Sequence, residues 1–351
     1  MSIEALRQKM RQPGEWPAGR REIALGMAAA AIIALVGMAV VSMRPAGRTS
    51  ATAHPQAALS SVVTPAQLDA REAAAGPTGA PLLWRVKGPK ATLYLFGSVH
   101  VLRANMGWMD PRLYSAFDSA REVWFEVPDP YAKTHAKFLT QQAFASRPVL
   151  LNGLTDKEKS ELAEVLRPFD LAPDDIPRLK PEAAAGLVNG TSETAMGYQF
   201  DRGADMSLMH LAQAGKKPIH GFETVDQHVE FINQLSVLPH EDGTTALKHA
   251  LANYAGGLST DGEDITTIAA CWRSGDQACI TRSVLAMRQS SPRSYDILLR
   301  RRNANWVPRI EAMAKGTDTV FITVGAAHLV GPDGLVAQLR AAGYAVERVD
   351  P

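Results

Sequence analysis

Two Gly-x-x-His segments carry the most chemistry in this sequence: Gly97-Ser98-Val99-His100 and Gly325-Ala326-Ala327-His328. Each follows an apolar run, TLYLF before Gly97 and TVFITV before Gly325. Two further runs end on carboxylates, EVWF on Glu126 and KPIHGF on Glu223. Two imidazoles with one or two carboxylates suit a divalent transition metal that keeps an open coordination position. Such an ion lowers the pKa of a bound water and polarises a scissile carbonyl, leaving Glu126 or Glu223 as general base. Without a metal, one histidine could itself be the base. Taken singly, each residue has a plainer reading. A histidine after a strand is commonly a loop residue, Glu126 stands just before Pro128, and Glu223 could be a helix N-terminal charge. The argument rests on one placement occurring four times.

For the four groups to meet, the runs that carry them must be neighbouring parallel strands. Ligands of open α/β sheets bind beyond the carboxyl ends of the strands. A glycine there permits a sharp turn or a close backbone approach. Residues 82–86 and 92–96 flank Gly88-Pro89 and read as a hairpin. Helices are expected over residues 111–120, from Thr155 with Glu158 as a capping box, and over 201–214 with Gly215 as the stop. A strand over 217–222 and helices over 225–238, 241–255, 264–273, 280–289 and 295–314 follow. The chain closes with a strand over 319–324, a helix over 331–342 and a strand over 344–349. This order predicts an α/β (α+β) domain with a central mixed, largely parallel sheet flanked by helices and a large helical insert. His220 lies inside its strand and is expected to be packed. The other histidines, His228 among them, have no strand-end placement.

Composition bounds the function. The 351 residues hold 37 Lys plus Arg against 36 Asp plus Glu. This balance gives no electrostatic reason for a nucleic-acid partner. The run Arg300-Arg301-Arg302 reads as a solvated helix face or as carboxylate pairing. The sequence does not indicate an oligomeric state. Residues 23–43 contain no charge and are long enough to cross the hydrocarbon core as a helix. Arginine and lysine are in excess before the segment, which predicts a cytoplasmic residues 1–22 and an exported remainder. The expected organisation is a span or signal anchor over 23–43, a flexible linker over 44–81 and one domain over 82–351. A signal peptide cleaved near Ala53 is the alternative. Cys271 and Cys279 exclude a thiolate zinc site by their spacing. They could be a local disulfide or two separate thiols.

The segments LYLFGSVHVLR, WFEVP, GKKPIHGFETVDQ, LLRRRNANW and VFITVGAAHLVGPDGL resemble the TraB/PrgY/GumN family, in the same order, over residues 82–349. That family is similar to the Tiki proteases, membrane-tethered metal-dependent peptidases, and to erythromycin esterases and haem-binding ChaN-like proteins. The resemblance implies that His100 and His328 are the paired motif histidines, with Glu126 and Glu223 as acidic partners and all four as metal ligands. It places Arg302 and Asn303 at the family's Arg-Asn pair, and Gly203-Ala204-Asp205 at its Gly-x-Asp. Arg302 would then stabilise an oxyanion and Asn303 would orient substrate or a ligand. Ser98-Val99 stands where many members have Thr and Ile. The implied activity is a metal-dependent, peptidase-like hydrolase of envelope or extracellular peptides or proteins, using manganese or cobalt, with zinc possible. The alternative is a non-catalytic peptide-, metal- or haem-binding regulatory protein of the envelope.

Overall fold

A computed structural model describes residues 79–128, 143–169, 171, 173–236, 243–256, 265–290 and 292–351. The expected span over 23–43, the linker and the segment before them lie outside the described residues. Among the described residues no helix is long and apolar enough to cross a membrane.

The elements are β1 (Leu83–Lys87), β2 (Thr92–Ser98), β3 (Leu102–Arg103), α1 (Pro111–Ser119), β4 (Glu122–Phe125), α2 (Asp156–Leu166), α3 (Pro181–Ala195), β5 (Tyr198–Gln199), α4 (Ala204–Ala214) and β6 (Ile219–Gly221). They continue with α5 (Val225–Ser236), α6 (Gly243–Gly256), α7 (Ile265–Ser274), α8 (Gln277–Ser290), α9 (Pro292–Tyr295), α10 (Arg301–Ala314), β7 (Thr319–Gly325), α11 (Leu335–Ala341) and β8 (Ala345–Arg348). The main sheet has the order β6-β4-β7-β2-β1-β8. The pairs β6–β4, β4–β7 and β7–β2 are parallel, and β2–β1 and β1–β8 are antiparallel. The expected hairpin is the β1–β2 pair. A second sheet pairs β3 with β5.

The central strands β2 and β7 are buried on both faces, as the apolar runs of helix-covered parallel strands are. Leu93, Leu95, Phe96, Phe321 and Ile322 are fully buried. Phe117 of α1 meets Phe321 edge-on, with ring centroids 5.4 Å apart. Phe96 stacks on Trp108 and meets Trp272 at its edge. The helical insert has a core of its own, formed by Leu162, Val165, Leu187, Val188, Leu247 and Leu251 of α2, α3 and α6. Thr155 caps α2 through the expected capping box with Glu158.

Three local expectations change. The last helix begins at Leu335, because Gly331 takes φ +80° and opens a turn through Gly334. The expected helix over 201–214 divides into a 3-10 turn at Phe200–Arg202 and α4. The long helix before β7 is interrupted by a π-helical segment, Asp296–Arg300, immediately ahead of Arg302. Cys271 and Cys279 are joined as a disulfide, tying the end of α7 to the start of α8. The neighbouring Trp272 is buried and donates its indole N–H to the Gly97 carbonyl at 2.6 Å.

Candidate functional site

The sheet order places the four strand-end groups side by side. From the edge inward, β6 leads to Glu223, β4 to Glu126, β7 to His328 and β2 to His100, on consecutive parallel strands. All four therefore leave the sheet at its carboxyl end, where α/β sheets bind ligands. The backbone ties the two acidic strand ends together, since Glu223 N–H donates to the Glu126 carbonyl at 2.9 Å.

The motif glycines are explained by close approach, and neither has a positive φ. After β7 the chain makes a 3-10 turn, Ala326–His328. A Cβ on Gly97 would lie 3.0 Å from Ala326 Cα and 3.2 Å from Ala326 Cβ. The missing side chain on β2 thus lets the His328 turn settle against the strand. At Gly325 a Cβ would lie 3.3 Å from Glu126 Oε1. Its backbone N–H instead donates to that oxygen at 2.7 Å.

Arg302 occupies the centre. Its Nη2 donates to Glu126 Oε2 at 2.6 Å and to Glu223 Oε2 at 2.9 Å, and its Nε donates to Glu223 Oε1 at 2.6 Å. The side chain is 6% exposed. Trp306 lies under the guanidinium, 4.8 Å from ring centroid to Cζ. Of the three consecutive arginines, Arg300 and Arg301 pair with Asp296 at the surface and only Arg302 points inward. Burial favours the neutral guanidine, but the charges of Glu126 and Glu223 outweigh it and hold the pKa above its ordinary value. Burial also raises the Glu126 pKa, and Arg302, His328, His100 and the Gly325 amide reverse this, holding it well below the usual carboxylate range. The Glu223 pKa is likewise lowered, against its burial, chiefly by Arg302.

The two histidines are held by opposite kinds of partner. His328 Nδ1 donates to Asn303 Oδ1 at 2.6 Å. This leaves Nε2 unprotonated, to accept from Arg302 Nη1 at 3.3 Å, with Glu126 Oε1 3.6 Å away. Asn303 Nδ2 donates to the carbonyls of His328 and Asp333. Asn303 therefore orients His328, the second of the two expectations for it, substrate or a ligand. Burial lowers the His328 pKa to about 4. His100 Nδ1 instead faces Asp205 Oδ2 at 2.7 Å, and the His100 side chain is 34% exposed. Burial opposes its protonation, but the charge and hydrogen bond of Asp205, aided by Glu126, raise the pKa to about 9. The Gly-x-Asp spacing is what makes this pair. A Cβ on Gly203 would lie 2.3 Å from the His100 carbonyl oxygen, and Ala204 N–H donates to the Val99 carbonyl.

Two further side chains belong to the site. His228 of α5 places Nδ1 3.2 Å from Glu223 Oε2, and Trp306 Nε1 donates to Glu223 Oε1 at 3.1 Å. His228 follows no strand, but it is five residues beyond Glu223 and one turn into α5. That helical offset was the available signal. His220 stacks on Trp124 with centroids 4.9 Å apart and keeps 42% of its side chain exposed, so it is packed on one face only.

The expected metal-ligand set of His100, Glu126, Glu223 and His328 does not fit this arrangement. Among the described residues no three His, Cys, Asp or Glu side chains are disposed to hold a metal ion. Both carboxylates are turned onto Arg302, and Asn303 takes His328 Nδ1. Arg302 commits Nε and Nη2 to the two glutamates, and its Nη1 lies 3.4 Å from the Leu298 carbonyl and 3.3 Å from His328 Nε2.

The sequence profile of the TraB/PrgY/gumN family matches residues 82–348. The chain belongs to the TraB/PrgY/gumN family. Among family relatives, the uncharacterized protein YbaP of Escherichia coli (strain K12) is 21% identical over 250 residues, covering 70% of this chain and 87% of YbaP. The YbaP of Shigella flexneri matches to the same extent. An uncharacterized protein of Treponema pallidum (strain Nichols) is 19% identical over 278 residues, covering 74% of this chain and 80% of its own. No solved structure matches this TraB/PrgY/gumN chain significantly.

Proposed function

We propose that this chain is a peptidase-like hydrolase of envelope or extracellular proteins, working by proton transfer between two histidines held in opposite charge states. The observation that carries the reading is the contrast in hydrogen-bond partners. His100 rests on the Asp205 carboxylate, whereas His328 rests on the Asn303 amide oxygen. Neighbouring titratable groups whose surroundings drive them apart are the pattern of an acid and its base. In this scheme Arg302 Nη1 yields its 3.3 Å contact with His328 Nε2 to a water, which attacks the amide carbonyl carbon and passes a proton to that nitrogen. The C–N bond then breaks, the departing nitrogen takes the proton from His100, and the proton gained by His328 returns to His100 through solvent once the products leave. Glu126 faces both imidazoles and favours positive charge on each. Asp205 and Asn303 are positioning residues, and Glu223 with His228 and Trp306 holds Arg302. The Cys271–Cys279 disulfide supports a location outside the cytosol, with the apolar segment at 23–43 as a membrane anchor.

The test is cleavage of a diverse peptide library by the full chain in excess chelator, followed by mass spectrometry. The proposal expects cleavage by wild type and none by His100→Ala or His328→Ala. Cleavage by both variants would remove it. A well-folded wild type that binds peptides without cutting them would favour the regulatory binding alternative.

A further inference from the structure

The geometry points to Arg302 as a built-in cation that stands where a divalent metal would otherwise sit, so that this chain neutralises its acidic site without a metal. The case is made by counting donors at each candidate ligand atom. Glu126 Oε1 is held by the Gly325 amide and Oε2 by Arg302 Nη2. Glu223 Oε1 accepts from Arg302 Nε and Trp306 Nε1, and its Oε2 accepts from Arg302 Nη2 and faces His228 Nδ1. His328 Nδ1 is taken by Asn303, and its Nε2 faces Arg302 Nη1. His100 Nδ1 is taken by Asp205. Only Glu126, with one lone pair left on each oxygen, and His100, through Nε2, keep an uncommitted acceptor, so two of the four candidates remain against the three protein ligands of a typical catalytic metal site.

The occupant is fixed and permanent. A guanidinium does not give up its proton in proteins, and its planar fork matches two carboxylates better than an ammonium would. The rings of Trp306 and Phe231 pack near it, with Cζ 4.8 Å and 5.6 Å from their centroids. The π-helical segment Asp296–Arg300, directly ahead of Arg302, is a feature frequent at functional sites. The inference is independent of the acid–base assignment, because a hydrolase and a binding protein built this way would both exclude the metal.

The experiment is metal binding, read by atomic emission and by the visible absorption of Co2+. The chelator-stripped full chain is equilibrated with Co2+ and dialysed. Wild type is expected to retain no Co2+ at this site. Arg302→Met exposes two carboxylates and the His328 Nε2, and is expected to gain about one equivalent with a visible band, since imidazole and carboxylate oxygens ligate such ions. That equivalent is lost again when His328→Ala is added. If Arg302→Met fails to fold, Arg302→Gln, which removes the charge while keeping a hydrogen-bonding side chain between the two carboxylates, serves in its place. About one equivalent on wild type that disappears in Glu126→Gln overturns the inference. So does a folded Arg302→Met or Arg302→Gln variant that binds no Co2+.

Discussion

Ser98 of β2 and Gly325 of β7 are Cα partners in adjacent parallel strands. The two Gly-x-x-His motifs are therefore staggered by a single residue, and both histidines leave the sheet at the same end. The turn after Gly325 then folds back against Gly97, which requires the first glycine, while the approach of Glu126 Oε1 to Gly325 accounts for the second.

The glycines can be tested directly. Gly97→Ala would push the His328 turn away from β2, and Gly325→Ala would crowd Glu126 Oε1. Each should fold with a loss of about 1–3 kcal/mol from local overpacking. Activity should fall much further, on the order of 100-fold in kcat, because a misplacement of about 1 Å at the reacting groups is enough for that. Thermal melts and peptide kinetics on the two variants check this. Unchanged kcat in both would mean that the close approach has no bearing on the chemistry.

Much of this arrangement was legible in the sequence. Apolar runs ending on His100, Glu126, Glu223 and His328 gave the strands and their active ends, because period and burial are encoded locally. Carboxylate pairing was one of two readings of the Arg300-Arg301-Arg302 run, and all three pair, but which carboxylates Arg302 meets, and the positions of Glu223 and Asn303 around it, were not legible. A carboxylate facing a metal and a carboxylate facing a guanidinium look alike in sequence, and only tertiary packing brings Arg302 between two strand ends. The π-helical segment was equally hidden, since a single wider turn leaves no periodic trace over five residues. His228 carries no strand-end signal, because it reaches Glu223 from a helix.

The pH dependence follows from the two imidazoles. Hydrolysis needs His328 unprotonated and His100 protonated, so kcat/KM should rise through about 4 and fall through about 9. Stability has matching signs. The His100 contribution is present below its ordinary pKa of 6.5 and lost as pH rises through about 9. The His328 contribution is present above 6.5 and lost as pH falls through about 4. Asp205→Asn removes the carboxylate that raises His100, so the alkaline limb should move to lower pH while the acid limb stays. A limb that does not move would mean that Asp205 does not set the charge on His100.

Glu193 in α3 gives a stability test far from the proposed chemistry in kind. Its residue is 8% exposed, and burial raises the carboxyl pKa to about 7. A raised acid stabilises the fold below its ordinary pKa of 4.5, and that contribution is lost as pH rises through about 7. Glu193→Gln removes the ionisation and should be more stable than wild type at pH about 8, by up to roughly 3 kcal/mol. Denaturation midpoints of the two proteins at acidic and alkaline pH check this. Equal midpoints at alkaline pH would show that the charged carboxylate is already compensated.

The shared site is tested most directly by a double-mutant cycle on kcat/KM with His100→Ala, His328→Ala and the double variant. Groups that act as one unit lose little more together than apart. The account predicts that each single change lowers kcat/KM on the order of 1,000-fold and that the double variant falls no further than the weaker single. A double variant whose loss equals the product of the two single losses would place the histidines in independent roles and contradict it.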